Sequence, residues 1–528
     1  MPTPMSSSYV ESKVDGEPLP ARRTEGFDVL STLSKGKKAL LLAIFCFALF
    51  LDTFNNSSLF TAIPAISVQL NIPNSQSVWL LSAYQLTFAS LLLVSGRVSD
   101  LYSPKWVFVI GAFMMAVFPL VGGFIRTEIP LNVIRALTGA GMVFVPFRGA
   151  LTIPSSIHLI VHMYPDPSEQ AKAITAFGGM GGVGLVLGLL IGALFVSFAS
   201  WPWVFYFSAI VSALIGLSIA LLVPNLKRTS ETESRAEKLL RFRRLDLIGV
   251  FSFTAALILF IFAITSGSID GWRSAQVIAP LVLSFVLMVF FFVWESRLPE
   301  SYAAIPSKMW RYENFAILMV ISLAPFMWWS SIFLLFSWLW EVVYGFSAIN
   351  TAVHFLPVGL AMFPVVPIAG AMQARLPLKW VILIGFFFIC VGTVLLPFAD
   401  SKGHYWPFAF PGFILGTVGA SIIYTTANVA LLATTPKEVS GIVSAMYMCV
   451  LQMGGAIGSA ILTSIQTSVQ ISHGGPTSFS GRAAGFWFLF AFLILLGLLL
   501  LVLMKNTIGP VGKQGGGTTA TDAENKDS

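Results

Sequence analysis

Charge is scarce in this sequence. Asp, Glu, Lys and Arg together make up 10% of its 528 residues, against 56% hydrophobic residues and a mean hydropathy of +0.83. A chain so short of charge cannot dress a soluble surface, which excludes the three or four soluble domains that its length would otherwise suggest. Cysteine is nearly missing too: Cys46, Cys390 and Cys449 are an odd number, and each falls inside an apolar run. That excludes a disulfide framework and leaves the three as small core residues. Of the five histidines, His158 and His162 have the i,i+4 spacing of metal ligands, but no acid or cysteine accompanies them, so neither a metal site nor a cofactor is expected. No DxxxD, Ser-His-Asp or metal-ligand set is found, which argues against an enzyme. The residues ahead of the first apolar run are polar, with no short apolar h-region and no small-residue cleavage site, so no removable signal peptide is expected.

What is present is a series of long apolar runs. Crossing about 30 Å of hydrocarbon takes roughly 20 apolar residues in a helix, because lipid offers no partner to unpaired backbone groups. Fourteen runs meet that requirement: about 39–63, 77–95, 106–125, 131–153, 173–198, 203–223, 246–266, 275–294, 314–338, 350–371, 379–397, 406–432, 439–465 and 483–504. The fold class is therefore an all-α integral membrane protein of 14 transmembrane helices.

Lys and Arg fix its expected orientation, because cytoplasmic loops carry an excess of both. With the amino terminus inside, 25 of the 31 lie on the inner side, and the outer loops hold only Arg126, Arg273, Lys402 and Arg482. Arg135 and Arg148 lie within a span. Both termini are expected to be cytoplasmic, and the net charge of +7 reflects membrane orientation, not a nucleic-acid partner.

Two segments repeat a spacing. "GRVSDLYSPKW" (Gly96 to Trp106) and "GAMQARLPLKW" (Gly370 to Trp380) each read Gly, eight residues, Lys-Trp, and each follows an inward-going span and opens an outward one. This suggests two related halves, as in many secondary transporters. The expected division is a cytoplasmic tail over 1–38, a six-helix bundle over 39–223, a basic cytoplasmic loop over 224–245, an additional helix pair and linker over 246–312, a second six-helix bundle over 313–504, and a disordered cytoplasmic tail over 505–528. The basic loop holds Arg241, Arg243 and Arg244 at the inner surface, where anionic lipid headgroups attract them.

In the first of the repeated segments, Gly96 permits close backbone approach, Asp100 suits a helix N-terminus or a basic partner, and Lys105 anchors the next span at the interface. This G-x-x-x-D loop resembles the signature loop of the major facilitator superfamily, which latches the two halves on the cytoplasmic side. The resemblance implies a gate role for Gly96, Asp100 and Lys105. "LNVIRALTGAGMV" resembles that superfamily's span-four motif, with Leu131, Arg135, Gly139 and Gly141 in place and Thr138 where Gln is usual; it implies proton coupling at Arg135, with a structural ion pair as the alternative. An intramembrane arginine is in any case normally aimed at a polar cavity or partner.

Span five carries Gly184, Gly188 and Gly192 at intervals of four, a stripe that lets helices approach closely. It resembles the G-P-x-x-G motif of the antiporter branch, although Leu185 stands in place of the Pro. "YGFSAINTAVHFLP" (Tyr344 to Pro357), "LQMGGAIGSAI" (Leu451 to Ile461) and "WPWVFYF" (Trp201 to Phe207), together with fourteen spans, resemble the fourteen-span drug:proton antiporter branch and its fungal aminotriazole-resistance-like members.

Alternating access needs polar groups in the membrane whose ionisation or ligand contacts favour one opening direction. Asp52 lies roughly 20 Å along span one at about 1.5 Å per residue, with Asn55 and Asn56 following at i+3 and i+4. Arg148, about 20 Å from Arg135 by the same rise, is a second intramembrane cation suited to an anionic substrate group or the inner vestibule. Glu341, at the outer end of span nine, is the corresponding acid of the second half or an interface residue. In the superfamily's span-one pattern an Asp stands nine residues before a Pro; here Asn55 holds that place before Pro64, and Asp52 lies three residues earlier. The tryptophans Trp328, Trp329, Trp338 and Trp340 read mainly as lipid-facing or interfacial, with the lining of an apolar drug-sized cavity as the alternative for some of them.

The resemblance implies a monomeric, multi-pass transporter of the cell membrane, or of a vacuolar membrane, whose partners are a small-molecule substrate, protons and membrane lipids. It implies export of a drug, toxin or secondary metabolite by proton antiport, with an uptake or uniport carrier for a nutrient or inorganic solute as the alternative.

Overall fold

The computed structural model describes residues 30, 32–89, 104–140, 156, 159–161, 163–224, 246–267, 271–299, 307–436, 440–475 and 477–506. Among these the secondary structure is helical with no strand, as expected where every backbone group must be satisfied within its own segment. Eleven helices among the described residues are long and apolar enough to cross a membrane: α1 (Lys35–Leu70), α5 (Pro167–Phe198), α6 (Pro202–Leu222), α7 (Leu247–Gly267), α8 (Ala275–Arg297), α9 (Phe315–Val343), α10 (Ala348–Arg375), α11 (Leu378–Leu395), α12 (Phe410–Thr434), α13 (Ser440–Ser472) and α14 (Ser480–Leu503). Three further helical segments stand where the remaining spans are expected: α2 (79–89), α3 (Pro104–Phe124) and α4 (Glu128–Ala140). The residues that follow α2 and α4 lie outside the described set.

Local chemistry sets the helix ends. Ser34 accepts from the Lys37 N–H at the start of α1, and Asn71 closes its other end in the left-handed conformation, φ 54°. Asp166 caps α5 ahead of Pro167, whose missing N–H would have been unsatisfied in that first turn. The "YGFS" segment is a reversal: Gly345 takes φ 70°, and Ser347 then accepts from Asn350 N–H to open α10. Below, the end of the bundle at which α1 begins is proximal and the other end distal.

The helices fall into two groups joined along one seam. In the first, α5 lies parallel to α1 through the glycine stripe. A Cβ added at Gly184 would stand 2.8 Å from Phe50 O, at Gly188 1.9 Å from Ser57 Oγ, and at Gly192 2.6 Å from Ser58 O. The helices are so close that side chains bond across them, Ser57 Oγ to Gly184 O at 3.1 Å and Thr61 Oγ1 to Leu189 O at 3.3 Å. Ser57 and Thr61 therefore hold α1 against α5 as small polar residues do in lipid, while the Ser58 hydroxyl turns back to Phe54 O within α1.

In the second group Gly454 and Gly458 of α13 do the same against α9, meeting Leu323 and Met327. The displacement that carries Gly96 onto Gly370 also carries Gly184 onto Gly458, and Thr53, which Gly184 meets, onto Met327, which Gly458 meets. Helix α7 pairs with α8, with Phe253 and Phe291 at 4.8 Å, and joins the second group where Ser464 Oγ of α13 donates to Ile264 O.

The groups meet toward the distal end. Phe60 of α1 packs on Phe333 of α9 at 4.9 Å, and Phe333 on Phe355 of α10 at 4.9 Å. Trp338 Nε1 donates to Ser77 Oγ, and the Val186 side chain of α5 fills the space over Gly359 of α10. Helix α9 is the most enclosed of the eleven, which corrects the reading of its tryptophans: Trp328, Trp329, Trp338 and Trp340 are all buried in protein. Trp328 donates to Thr393 Oγ1 at 2.9 Å and lies over Gly416, where no larger residue would leave room for it. Arg482, assigned from the sequence to a loop, is instead a buried residue in the first turn of α14.

Gly188→Leu drives a side chain into Ser57 and α1, an overpacking that typically costs about 1–3 kcal/mol. The detergent-purified variant is expected to melt several degrees below the parent, while Gly179→Ala, where nothing stands within 4 Å, leaves the melting temperature unchanged.

Candidate functional site

Within the first group, four helices bring polar side chains to one level. Asp52 and Asn55 come from α1, Tyr84 from α2, Arg135 from α4 and Ser208 from α6, and all five are buried. Gly139 makes the meeting possible, since a Cβ there would stand 2.4 Å from the Tyr84 carbonyl oxygen. With α4 pressed against α2 at that point, Arg135, one turn earlier, lies across the Tyr84 ring, its guanidinium carbon 4.8 Å from the centroid.

Arg135, only 1% exposed, also donates from Nε to Leu80 O at 2.9 Å and from Nη2 to Asn55 O at 3.5 Å. Among the described residues no carboxylate pairs with it; two carbonyls and a ring face hold the cation in their place. That is a costly arrangement in a low dielectric, and buried cations of this kind mark functional positions in membranes. On the far side of the same tyrosine, Tyr84 donates from its hydroxyl to Asp52 Oδ1 at 2.8 Å. Carboxyl and guanidinium are thus joined through one side chain, with its hydroxyl on the first and its ring on the second. Ser208 completes the set by donating to Asn55 Oδ1 at 3.1 Å, while Asn55 Nδ2 has no partner.

Asn56, although next to Asn55, points elsewhere. It lies one turn before Phe60, the residue that meets the second group, and its Oδ1 is buried without a partner. Glu341 lies apart from Asp52, in the π-helical turn Leu339–Val343 at the distal end of α9, with Oε1 buried and unpartnered. Lys105 is buried in the first turn of α3, with Nζ 5.4 Å from the Trp106 ring. Gly96, Asp100, Arg148, His158 and His162 lie outside the described residues. No group of His, Cys, Asp and Glu suited to a metal ion occurs among the described residues.

Two members of the site were not found from the sequence. Tyr84 sits in an apolar stretch, and only the burial of a hydroxyl that needs a partner could have flagged it. Ser208 looks like any small residue of a membrane helix.

The Major Facilitator Superfamily family model matches residues 45–459. Among curated relatives, the low affinity ammonium transporter of Saccharomyces cerevisiae is 26% identical over 411 residues, covering 77% of this chain and 76% of that protein. Efflux pump terJ of Aspergillus terreus is 24% identical over 452 residues, covering 84% of each. Among solved structures, the crystal structure of peptide transporter POT in complex with sulfate superposes with a TM-score of 0.62 at 15% identity, over 87% of this chain and 93% of that one, a likeness of fold.

Because Tyr84 serves both neighbours, its contacts with Asp52 are expected to be non-additive with the rest of the site. In a double-mutant cycle of Asp52→Ala with Tyr84→Phe, read by thermal or denaturant unfolding of the purified protein, a coupling of about 0.5–3 kcal/mol is expected. Strict additivity would mean that the hydroxyl bond contributes nothing.

Proposed function

The chain belongs to the major facilitator superfamily, and from that premise we propose that it is a secondary active transporter that exports a small organic compound in exchange for protons. The observation that carries this is the buried line of Asp52, Tyr84 and Arg135 beside the seam between the two helix groups. An ionised Asp52 holds the Tyr84 hydroxyl and ties α1 to α2. Protonation removes the negative charge, weakens that bond and releases the hydroxyl, so the energy of the α1–α2–α4 junction depends on the proton. A proton taken up in one opening direction and lost in the other biases the equilibrium between them.

Each remaining part has a role on this reading. The two helix groups are the bundles of the repeat, 39–223 and 313–504, which rock about the seam with α7 and α8 as the additional pair. The Lys and Arg distribution supports a cytoplasmic proximal end, with both termini there. The loop of Gly96, Asp100 and Lys105 latches that side, Arg148 contributes to the inner vestibule, and Glu341 serves the outer face. The similarity to efflux pump terJ supports export, and the fourteen apolar runs support the drug:proton antiporter branch.

A second reading is an uptake or uniport carrier in the same fold. It is favoured by Leu185, where the antiporter motif has Pro, and by the similarity to an ammonium transporter. A growth-toxicity screen of cells with and without the protein identifies a transported compound, whose flux is then followed in vesicles of the purified protein. Outward flux is expected to accelerate under an imposed pH gradient, and Asp52→Asn to lose that acceleration on the order of tenfold, the equivalent of about 1.4 kcal/mol. Flux indifferent to the gradient overturns antiport, and net flux that keeps its direction when the gradient is reversed favours the uniport reading.

A further inference from the structure

We infer that a lipid-facing groove between α10 and α12 holds a sterol, with the sterol hydroxyl on the Val353 carbonyl oxygen and its ring system along Pro357, Leu360 and Ile414. The groove stands apart from the seam and serves no step of the transport reading.

Two bonds place its walls. The Tyr405 hydroxyl donates to His354 O at 2.9 Å near the start of α10, and Gln373 Nε2 donates to Thr426 Oγ1 at 3.0 Å near its end. Tyr405 lies in the π-helical turn Tyr405–Ala409 that leads into α12, so the two helices run in the same direction from the distal side. Between those bonds they leave a groove of about 610 Å³, within the range of sites for small molecules. One wall runs from Val353 to Ile368 on α10, about 22 Å at 1.5 Å per residue. Trp406, Phe410, Ile414 and Val418 form the other at intervals of four. Gly359, which takes Val186 of α5 at the seam, does not line the groove, whereas Val353, Leu360 and Ile368 do and are exposed on the outside of the bundle.

Proline sets the chemistry of the first wall. Pro357, Pro364 and Pro367 stand inside α10, and none has an N–H to give the carbonyl four residues earlier, so Val353, Leu360 and Phe363 lose their helical donors. Pro357 and Pro364 line the groove together with Val353 and Leu360. Hydrocarbon offers no substitute donor, so such a carbonyl has to draw one from a side chain or a ligand. The neighbouring residue shows which kind fits: His354 O, next to Val353 O along the backbone, takes the Tyr405 hydroxyl. An alcohol lying in the groove would do for Val353 O what Tyr405 does for His354 O.

Depth and charge select the alcohol. Val353 and Trp406 mark the distal end, where Trp406 is 70% exposed and an indole suits the membrane–water interface. The polar group of the occupant therefore sits at that end, and its apolar body runs inward. No Asp, Glu, Lys or Arg lines the groove, and His354 Nδ1 is turned to Asn350 O, so the walls match neither a phosphate nor an ammonium headgroup. A fused ring system also gives up less conformational freedom on settling against Pro357, Pro364 and Phe410 than an acyl chain does. An uncharged, rigid, apolar molecule with one hydroxyl at its end is a sterol.

The test is photolabelling of the full chain in phosphatidylcholine nanodiscs by a cholesterol analogue with a diazirine on its ring system, mapped by mass spectrometry. Saturable label is expected on 348–375 and 405–422, displaced by cholesterol. The methyl ether of cholesterol, which lacks the hydroxyl donor, and dioleoylglycerol, a flexible alcohol, are each expected to compete roughly tenfold more weakly. Pro357→Ala returns an N–H to Val353 O and is expected to weaken cholesterol roughly tenfold, while Pro364→Ala, deeper in the groove, leaves it unchanged. Label that does not saturate means that phosphatidylcholine chains fill the groove, and label lost only in discs with two copies means that a second chain covers it; either result overturns the inference. So does equal competition by the ether or by dioleoylglycerol, unchanged affinity in Pro357→Ala, or an equal loss in Pro364→Ala. The two competitors are compared on the unaltered chain, so that arm decides even where a proline variant does not fold. None of these readouts involves flux, so their failure leaves the transport reading standing.

Discussion

Arg135 constrains the first helix group more than any other residue. A guanidinium cannot shed its proton inside a protein, so burying one in a membrane obliges its neighbours to supply acceptors. Here they are the carbonyls of Leu80 and Asn55 and the ring face of Tyr84, contributed by α1 and α2. Three helices are thereby held in one register, at the level where α1 also presents Asp52. The Arg135 guanidinium stacks on the Tyr84 ring while the tyrosine hydroxyl is left for the acid. The tyrosine thus stands between the two charged groups, its hydroxyl on the carboxylate and its ring on the guanidinium.

Close backbone approach is the condition for that arrangement. Gly139 brings α4 onto the Tyr84 carbonyl, and the stripe of Gly184, Gly188 and Gly192 brings α5 onto the other side of α1. Packing and polar contacts are one system in this region, because Ser57 and Thr61 bond to α5 carbonyls only at the separation that the glycines allow. The polar cluster of α1 accordingly divides by direction. Ser57 and Thr61 bond α1 to α5, Asp52 accepts from Tyr84, Asn55 accepts from Ser208 and, through its backbone carbonyl, from Arg135, and Asn56 lies one position further around the helix.

That division is what the sequence could not supply. Hydropathy located the long apolar runs, spacing marked the glycine stripe, and a charge inside an apolar run singled out Asp52 and Arg135, because each is a local signal that needs no partner to be read. The roles of Asn55 and Asn56 depend on which helix lies opposite, a difference of one position around α1. Tyr84 and Ser208 are ordinary residues of membrane helices until the carboxylate and the amide that they serve are in place. The tryptophans of α9 misled for the same reason. An indole in an apolar run suits an interface as well as a core, and only the enclosure of α9 by α1, α10, α12 and α13 decides between them.

The displacement shared by the two Gly…Lys-Trp segments gives the sharpest view of how the halves divide the work. It aligns the Gly184 contact with the Gly458 contact, while Gly188 and Gly192 fall on Leu462 and Gln466, and it lays Asp52 on Phe326 and Asn55 on Trp329. At that one aligned contact the close approach is kept and the chemistry beside it is exchanged, with an acid and an amide in one half and aromatic side chains in the other. The acid-bearing group and the aromatic group meet along a seam whose distal end is closed by Phe60 and Phe333.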